Sequence, residues 1–439
     1  MFLLALYCAK LADWFIHTLR LGSGSTWPGE IALWIDKSFV LDFLKISQIK
    51  IIIIAGTNGK TTTSRLVVEG LKKAGKTVVH NSEGANLLNG VASSIVRKSF
   101  LNMNSSTNYA VFEVDENALP QVLSQVQHPF AIVLLNLFRD QLDRYGEVNS
   151  ISIKWIKAFK EISKETHIII NGDDPRLAYV GMQTNAQCIY FGANGEDKKK
   201  MEIPHDVDSV HCPKCGAKLF YSSMSYSHLG DYSCLNCNFV SPSKWTETFT
   251  PLTQLTGIYN RYNIRAALSI LKIALDKSTV ESRELLNDVR PAFGRQEQFT
   301  ALGKKWIVIL SKNPSGFNQS IEALHEIVGK SKTTVCIVLN DRIPDGTDVS
   351  WIWDVEFDRV FTYSDSIVVS GDRTYDMAIR METALLSNNN KALLTAEQNL
   401  KKALELSVHK QISDIPIVVL STYTGMLEVR KILIGKSLL

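Results

Sequence analysis

At 439 residues the chain exceeds the roughly 250 to 300 at which a single hydrophobic core stops growing, so two or more domains are expected. With 45% hydrophobic and 21% charged residues it has the composition of an ordinary soluble globular protein, and a net charge of +4 over this length is no nucleic-acid footprint. Charge alone implies no acidic partner.

The first 22 residues, MFLLALYCAKLADWFIHTLRLG, raise the question of a signal peptide or an anchor. Lys10 and Asp13 interrupt the run short of the ~20 apolar residues a span needs. No basic region precedes it and no small-residue cleavage site follows. Leu4, Cys8, Leu11, Phe15 and Leu19 fall at helical spacing, which predicts an amphipathic helix packed on the body of the protein. Peripheral contact with a membrane surface is the other reading.

From Lys50 the run KIIIIAGTNGKTTTSRLVVEGLKKAG predicts an apolar strand, a glycine-containing turn and an amphipathic helix, the opening of an α/β unit. Further strands are predicted at 109–114, 131–135 and 167–171, with helical patterns between them that suit a parallel sheet. The turn reads Gly56-Thr57-Asn58-Gly59-Lys60-Thr61-Thr62, a phosphate-binding pattern. Its glycines let backbone N–H groups face an anion, and the helix N-terminus adds partial positive charge. Lys60, taken as a solvent-facing loop lysine, can reach the β- and γ-phosphates, while Thr61 can ligate Mg²⁺. Residue 54 is Ile, so the loop is the shorter GxxGKT. A carboxylate at a strand end is the usual second Mg²⁺ ligand; Glu113 in AVFEVDE holds such a place, with Asp115 and Glu116 as rivals. After the next strand, Asn136, Arg139, Asp140, Gln141, Asp143, Arg144, Gly146 and Glu147 lie where ligands bind in open α/β sheets.

Between about 194 and 248 the pattern becomes polar and cysteine-containing, which predicts an insertion before helical periodicity returns at 258–275. Seven cysteines are an odd count, and four form two CxxC pairs: Cys212 with Cys215, then, after eighteen residues, Cys234 with Cys237. That spacing is the signature of a closed tetrahedral zinc ribbon, and in a reducing cytoplasm metal is the more plausible reading than disulfides.

A second alternation predicts strands at 306–310, 334–339, 359–362 and 415–420, and hence a smaller α/β domain. The stretch 340–354 holds four acids and two tryptophans just after a strand, with Asp345-Gly346 as the expected turn. Cys336 lies within the apolar run VCIVL and reads as strand core; Cys8 and Cys188 have no glycine-flanked elbow, so the chain shows no glutaminase nucleophile of its own.

Together, GTNGKTTT, FEVDE, NLFRDQLDRYGE, NGDDP, GIYNRYN, GRQEQF and SKNPSGFN resemble the Mur ligase superfamily and, within it, the MurT subfamily, over nearly the whole chain. The resemblance implies an N-terminal helical segment (1–45), a central ATPase domain (46–298) with the zinc ribbon inserted at about 205–245, and a C-terminal α/β domain (299–439). It implies that ATP lies between the two large domains. Gly56 to Thr62 would bind the phosphates, Thr61 and Glu113 the Mg²⁺, and Asn260 and Asn263 the adenine side. Arg295 would reach ATP across the junction. Asp348 matches the acid thought to complete a Cys-His-Asp triad whose Cys and His come from a GatD-type class I glutamine amidotransferase partner.

The implied activity is ATP-dependent amidation of the D-glutamate α-carboxylate in the lipid II stem peptide, through an acyl phosphate, on the cytoplasmic side of the membrane. The alternatives are an amino-acid-adding ligase of the Mur or folylpolyglutamate type, and a non-catalytic nucleotide-binding adaptor. Two departures bear on this. Ser311-Lys312-Asn313-Pro314-Ser315-Gly316 puts lysine where several relatives carry the histidine of DxAHNPxG. The lysine those ligases carbamylate has no clear counterpart, with Lys154 and Lys157 both in the right region.

Overall fold

The computed structural model describes residues 1–19, 26–81, 85–98, 108–139, 148–198, 208–245, 255, 257–289, 295–329, 331–387 and 392–435. Two six-stranded sheets organise it. The first has the order β2-β3-β1-β4-β5-β6 and every pairing is parallel. Its strands are β1 (Lys50–Ala55), β2 (Val78–His80), β3 (Tyr109–Val114), β4 (Ala131–Leu134), β5 (His167–Asn171) and β6 (Gln187–Phe191). The isoleucines of β1 are buried on both faces, as a central strand with helices on either side requires. The chain crosses from β3 to β4 over the top of β1, so the carboxyl end of β1 is where the strand order reverses and a crevice opens.

The second sheet has the order β13-β12-β11-β14-β10-β9. Here β10 (Lys304–Leu310), β11 (Thr333–Val338), β12 (Ser364–Ser370), β13 (Leu393–Ala396) and β14 (Ile417–Ser421) run parallel, and β9 (Arg295–Ala301) pairs antiparallel at the edge. The strand expected at 359–362 is instead helical, a 3₁₀ turn at Phe357–Arg359 leading into Val360–Tyr363. Phe357, Val360 and Phe361 are spaced three and four apart and all enter the core of this sheet, so the short apolar run follows a helical period. The strand proper begins at Ser364.

Helices Phe2–Thr18, Trp27–Ile35 and Phe39–Ile46 pack on helix Leu88–Lys98 beside the first sheet. The face expected to be packed is the wrong one. Leu4, Leu11, Phe15 and Leu19 are exposed, and the helix docks through Ala5, Leu6 and Ala9. Small side chains let the backbones approach, and Phe2 stacking on Phe39 closes one end at 5.1 Å. Among the described residues no helix is long and apolar enough to cross a membrane.

In the insertion, β7 (Phe220–Tyr226) and β8 (Leu229–Ser233) form an antiparallel hairpin. Its small core of Leu219, Tyr232 and Phe239 packs on Ala178 and Tyr179 of helix Pro175–Met182. The NGDDP segment fastens it: His228 Nε2 lies 3.3 Å from Asp174 Oδ2, and Lys244 donates to Asp173 at 2.6 Å.

Candidate active site

The loop after β1 turns only because two residues adopt positive φ: Gly56 at 142° and Gly59 at 91°. A Cβ on Gly59 would meet Asn263 Oδ1 at 2.2 Å, so the loop lies directly on the start of helix Ile258–Leu275. Asn136, just past β4, braces it from the other side, accepting from Asn58 N–H at 2.8 Å and donating to Asn58 O at 3.0 Å. Thr57 Oγ1 accepts from Phe138 N–H at 3.0 Å. Thr62 and Thr63 are buried in the first turn of helix Lys60–Lys73.

Lys60 is not the solvent-facing side chain that its place in the loop suggests. It is only 8% exposed, and its ammonium donates to Gly56 O at 2.5 Å, Thr57 O at 3.2 Å and Glu116 Oε2 at 3.2 Å.

The three acids of FEVDE part company. Glu113 is buried and accepts from Thr61 Oγ1 at 2.9 Å and Ser64 Oγ at 2.6 Å, with His80 Nε2 3.4 Å away. Burial raises its pKa, but the His80 imidazole and the Ser64 and Thr61 hydroxyls outweigh it, and the net shift is downward. Glu116, also buried, is likewise pulled down against its burial by Lys60 and Lys312. Asp115 is pushed up by burial and by the charge of Glu116. An ionised Glu113 touching the Thr61 hydroxyl is the pair of oxygens a Mg²⁺ ion on a phosphate loop requires, so the residues fit that ion.

The second sheet closes the crevice. Asn313 caps helix Pro314–Val328, accepting from Gly316 N–H at 2.7 Å, and donates to Asn58 Oδ1 at 3.3 Å. A narrow cleft lies between the halves, lined by Asn58, Gly59, Thr62 and Asn263 from one side and Ile309, Leu310, Gly316, Gln319 and Ser320 from the other. Tyr226 of the insertion and Tyr259 complete it. Local reasoning misses both tyrosines, Gln319 and Ser320; only GIYNRYN, which contains Tyr259, carries a signal. Asn260 is buried behind Asn263 and accepts from it at 3.2 Å. Of Arg295 only the backbone is described, opposite Ile309 at the edge of the second sheet. Lys154 approaches Asn117 Oδ1 at 3.4 Å, next to Glu116 in the sequence, and both Lys154 and Lys157 are exposed on the same helix. Arg139 pairs with Asp208, and with Asp354 at 3.2 Å, while Asp140 to Glu147 lie outside the described residues.

In the insertion, Cys212, Cys215, Cys234 and Cys237 bring all four sulfurs within 4.8 Å of one another. Each CxxC turn is set by its backbone. Gly216 N–H donates to Cys212 O at 2.9 Å and Asn238 N–H to Cys234 O at 3.0 Å, with φ of 78° at Gly216 and 55° at Asn238. Cys212 and Cys237 sulfurs are 3.6 Å apart, and Cys215 and Cys234 sulfurs 3.5 Å. A tetrahedron with metal–sulfur bonds of about 2.3 Å has edges of about 3.8 Å, so the donor set fits a four-thiolate metal site.

The loop after β11 turns at Arg342 to Gly346, where Gly346 has φ of 89°. Asp345 is buried and accepts from Thr424 N–H at 2.8 Å and from the Thr424 hydroxyl. Asp348, in contrast, is exposed, and accepts from Ser350 N–H at 2.8 Å. That hydrogen bond and the Ser350 hydroxyl hold its carboxyl below the usual range. It borders an open cleft together with Ser350, Trp353, Arg373, Asp376 and Ile379. Cys336 is fully buried in β11, as expected of a core residue.

Residues 54–271 match the family model for the Mur ligase middle domain, and residues 310–426 that for the MurT ligase C-terminal region. The MurT subunit of the glutamine-hydrolysing lipid II isoglutaminyl synthase of Streptococcus pneumoniae is 31% identical over 442 residues, covering 95% of this chain and 94% of that one. The corresponding Staphylococcus aureus subunit is 31% identical over 397 residues, 87% of each. Among solved structures, a type C pseudomurein peptide ligase from Methanothermus fervidus has a TM-score of 0.65 at 19% identity, covering 90% of this chain and 80% of that one. MurF from Acinetobacter baumannii has 0.62 at 18% identity, over 91% and 79%. These two share the Mur-ligase-like α/β fold. On the extent and identity of the sequence matches, the chain belongs to the MurT family of Mur-ligase-like proteins.

Proposed function

We propose that this chain is the synthetase subunit of an amidotransferase that converts the α-carboxylate of D-glutamate in the lipid II stem peptide to the amide, using ATP, with ammonia from a GatD-type glutaminase partner. The observation that carries this reading is the ionised Glu113 accepting from Thr61, with Lys60 paired to Glu116, on the same phosphate loop whose Asn58, Gly59 and Thr62 line the cleft that the second sheet closes. A non-catalytic adaptor has no need of that cluster. We read residues 1–45 as an N-terminal helical segment, 46–298 as the ATPase domain and 299–439 as the C-terminal domain.

In this mechanism Thr61 and Glu113 would hold Mg²⁺, which would supply positive charge against the transferring phosphoryl group. The N–H groups of the Gly56 to Thr62 loop and the N-terminus of helix Lys60–Lys73 cradle the phosphates. Lys60 exchanges the carbonyls of Gly56 and Thr57 for the γ-phosphate. Asn260 and Asn263 support the nucleotide end of the cleft, and Arg295 adds positive charge from the second sheet. The substrate carboxylate oxygen attacks the γ-phosphorus and the bond to ADP breaks, leaving an acyl phosphate. Ammonia then attacks the acyl carbon, phosphate leaves and a proton is lost. Asp348, accessible on the surface, orients the partner's histidine as the third member of its triad.

Cys212, Cys215, Cys234 and Cys237 hold a structural Zn²⁺ in a ribbon. Four thiolates leave no open position for a water, so this site braces the insertion that carries Tyr226 toward the cleft. Such thiolates suit a cytoplasmic protein. The test is reconstitution with the partner: lipid II, ATP, Mg²⁺ and glutamine must together yield the amide, and amino-acid addition without amidation overturns the reading.

A further inference from the structure

The cleft under the second sheet holds a polar atom that the protein leaves unmatched. Gln319, on the second turn of helix Pro314–Val328, lines the cleft and is only 9% exposed, and its side-chain oxygen Oε1 has no hydrogen-bond partner among the described residues. No other residue of the lining has a buried side-chain nitrogen or oxygen in that state among the described residues. The polar groups around it are committed. Asn263 donates to Asn260 Oδ1 at 3.2 Å and accepts from Thr63 Oγ1 at 3.3 Å. The Tyr259 hydroxyl accepts from Gln296 Nε2 at 2.8 Å, and Ser320 Oγ donates to Gly316 O at 2.9 Å. A buried acceptor with nothing to accept from is costly, so an unpaired carboxamide in a cleft calls for a donor on the molecule that fills it.

The surroundings narrow what that donor is. Tyr226, Tyr259, Ile309 and Leu310 give the cleft apolar walls, and no lining side chain carries a charge; Lys60, Glu113 and Glu116 are not among them. Such walls suit a flat, uncharged ring. A phosphate oxygen has no proton to give to Oε1. We propose that Gln319 sets the nucleotide specificity of this cleft by accepting a hydrogen bond from the exocyclic 6-amino group of adenine. The inference rests on the reading of the cleft as the nucleotide site.

A carboxamide presents an acceptor and a donor side by side in one plane, and the adenine edge presents the amine donor next to a ring-nitrogen acceptor, so the two edges match. Guanine carries a carbonyl oxygen in place of the amine and leaves Oε1 facing another acceptor, and a buried polar group left unpaired is what lets a site reject the wrong ligand. Asn260 and Asn263 are turned to each other, so they brace the base end of the cleft while Gln319 reads the base. Gln319 stands on the C-terminal half and the phosphate loop on the central half, so one bound nucleotide touches both. Tyr226 belongs to the hairpin of the four-cysteine insertion, which makes that insertion a wall of the base pocket.

The experiment is calorimetric titration of the full-length chain, with Mg²⁺ and without acceptor, using ATP and purine riboside triphosphate, which differs from ATP only in lacking the 6-amino group. The wild type is expected to bind ATP about fivefold to tenfold more tightly, the worth of one neutral hydrogen bond. Gln319→Met keeps the volume and removes the acceptor. It should bind ATP about as weakly as the analogue and bind the analogue at least as well as the wild type does, so that the preference vanishes in the double-mutant comparison. A thermal melt checks the fold, and Gln319→Leu is the second variant should the methionine variant fail to fold. Equal binding of the two nucleotides by the wild type overturns the proposal, as does a variant that keeps the preference or loses affinity for both alike. So does a preference for ATP over 2′-deoxy-ATP that the variant abolishes, which assigns Gln319 to the ribose. Binding of neither nucleotide by the wild type refutes the ligase reading itself, whereas binding without a 6-amino preference removes only this inference.

Discussion

Replacing Lys60 by alanine tests both the chemistry and the packing of the phosphate loop, because the lysine is half of a buried ion pair. Its ammonium donates to Glu116 Oε2 at 3.2 Å, and Glu116 is 2% exposed. Removing one partner of a buried pair costs about 3–5 kcal/mol. Lys312 still lies close enough to lower the Glu116 pKa, so the lower end of that range is expected. The sign of the pH dependence follows. In the wild type the pKa of Glu116 is lowered, so its contribution to stability is present above the unfolded carboxylate pKa and is lost as pH falls through the folded value. Without Lys60, burial dominates and the pKa rises, so the deficit of Lys60→Ala is widest at neutral pH and narrows in mild acid, where Glu116 takes up a proton. Thermal melts at the two pH values measure this, and Lys60→Ala/Glu116→Gln should recover most of the loss. Amidation should fall by ~10²–10³-fold or more in both variants, since a charge aimed at the transferring phosphoryl group is missing in each. A deficit that is the same in mild acid and that Glu116→Gln does not relieve would refute the ion-pair reasoning. Retained amidation would remove Lys60 from the phosphate site.

Gly59→Ala should abolish nucleotide binding in a fluorescence titration, because a left-handed φ costs an L-residue about 1–2 kcal/mol and the new Cβ meets Asn263 Oδ1 at 2.2 Å. Full-strength binding would mean the loop re-forms around the methyl group. Metal analysis should find about one zinc per chain, and Cys234→Ser should lower both zinc content and melting temperature, since the metal's binding energy is folding energy. Iron in place of zinc, or no metal without chelator, would overturn that assignment. Asp348→Asn should eliminate glutamine-driven amidation, by up to several orders of magnitude, while ammonium chloride at high concentration restores product at least in part. A variant with full glutaminase activity would leave Asp348 as a turn residue that caps Ser350.

Some features are legible from local pattern alone. The isoleucine run of β1 is apolar without alternation, and only a strand covered on both faces tolerates that, so a parallel sheet can be read from it. Gly56 and Gly59 sit where backbone N–H groups must turn, and the two CxxC pairs are short enough to close on one point wherever the rest of the chain goes. Each of these rests on interactions within a few residues. Local pattern fails at 359–362 for a related reason: a segment this short, with only Val360 and Phe361 apolar, fits either period, and the core contacts of Phe357, Val360 and Phe361 choose the helix.

What the sequence by itself determined was therefore the α/β class, the phosphate loop and the four-cysteine cluster. Only the tertiary structure decided which of Glu113, Asp115 and Glu116 meets Thr61, since all three stand at the end of one strand and differ in which neighbours face them. It also decided which side of the first helix is buried, where spacing marked the leucines but close backbone approach favoured Ala5 and Ala9. The cleft is tertiary altogether. Asn58 and Asn313 meet across 255 positions of sequence, and Tyr226 arrives from an insertion, so no local period encodes them. Contacts of that range form only when whole cores pack against one another, and their geometry is set by the volumes and hydrogen bonds of both sides together.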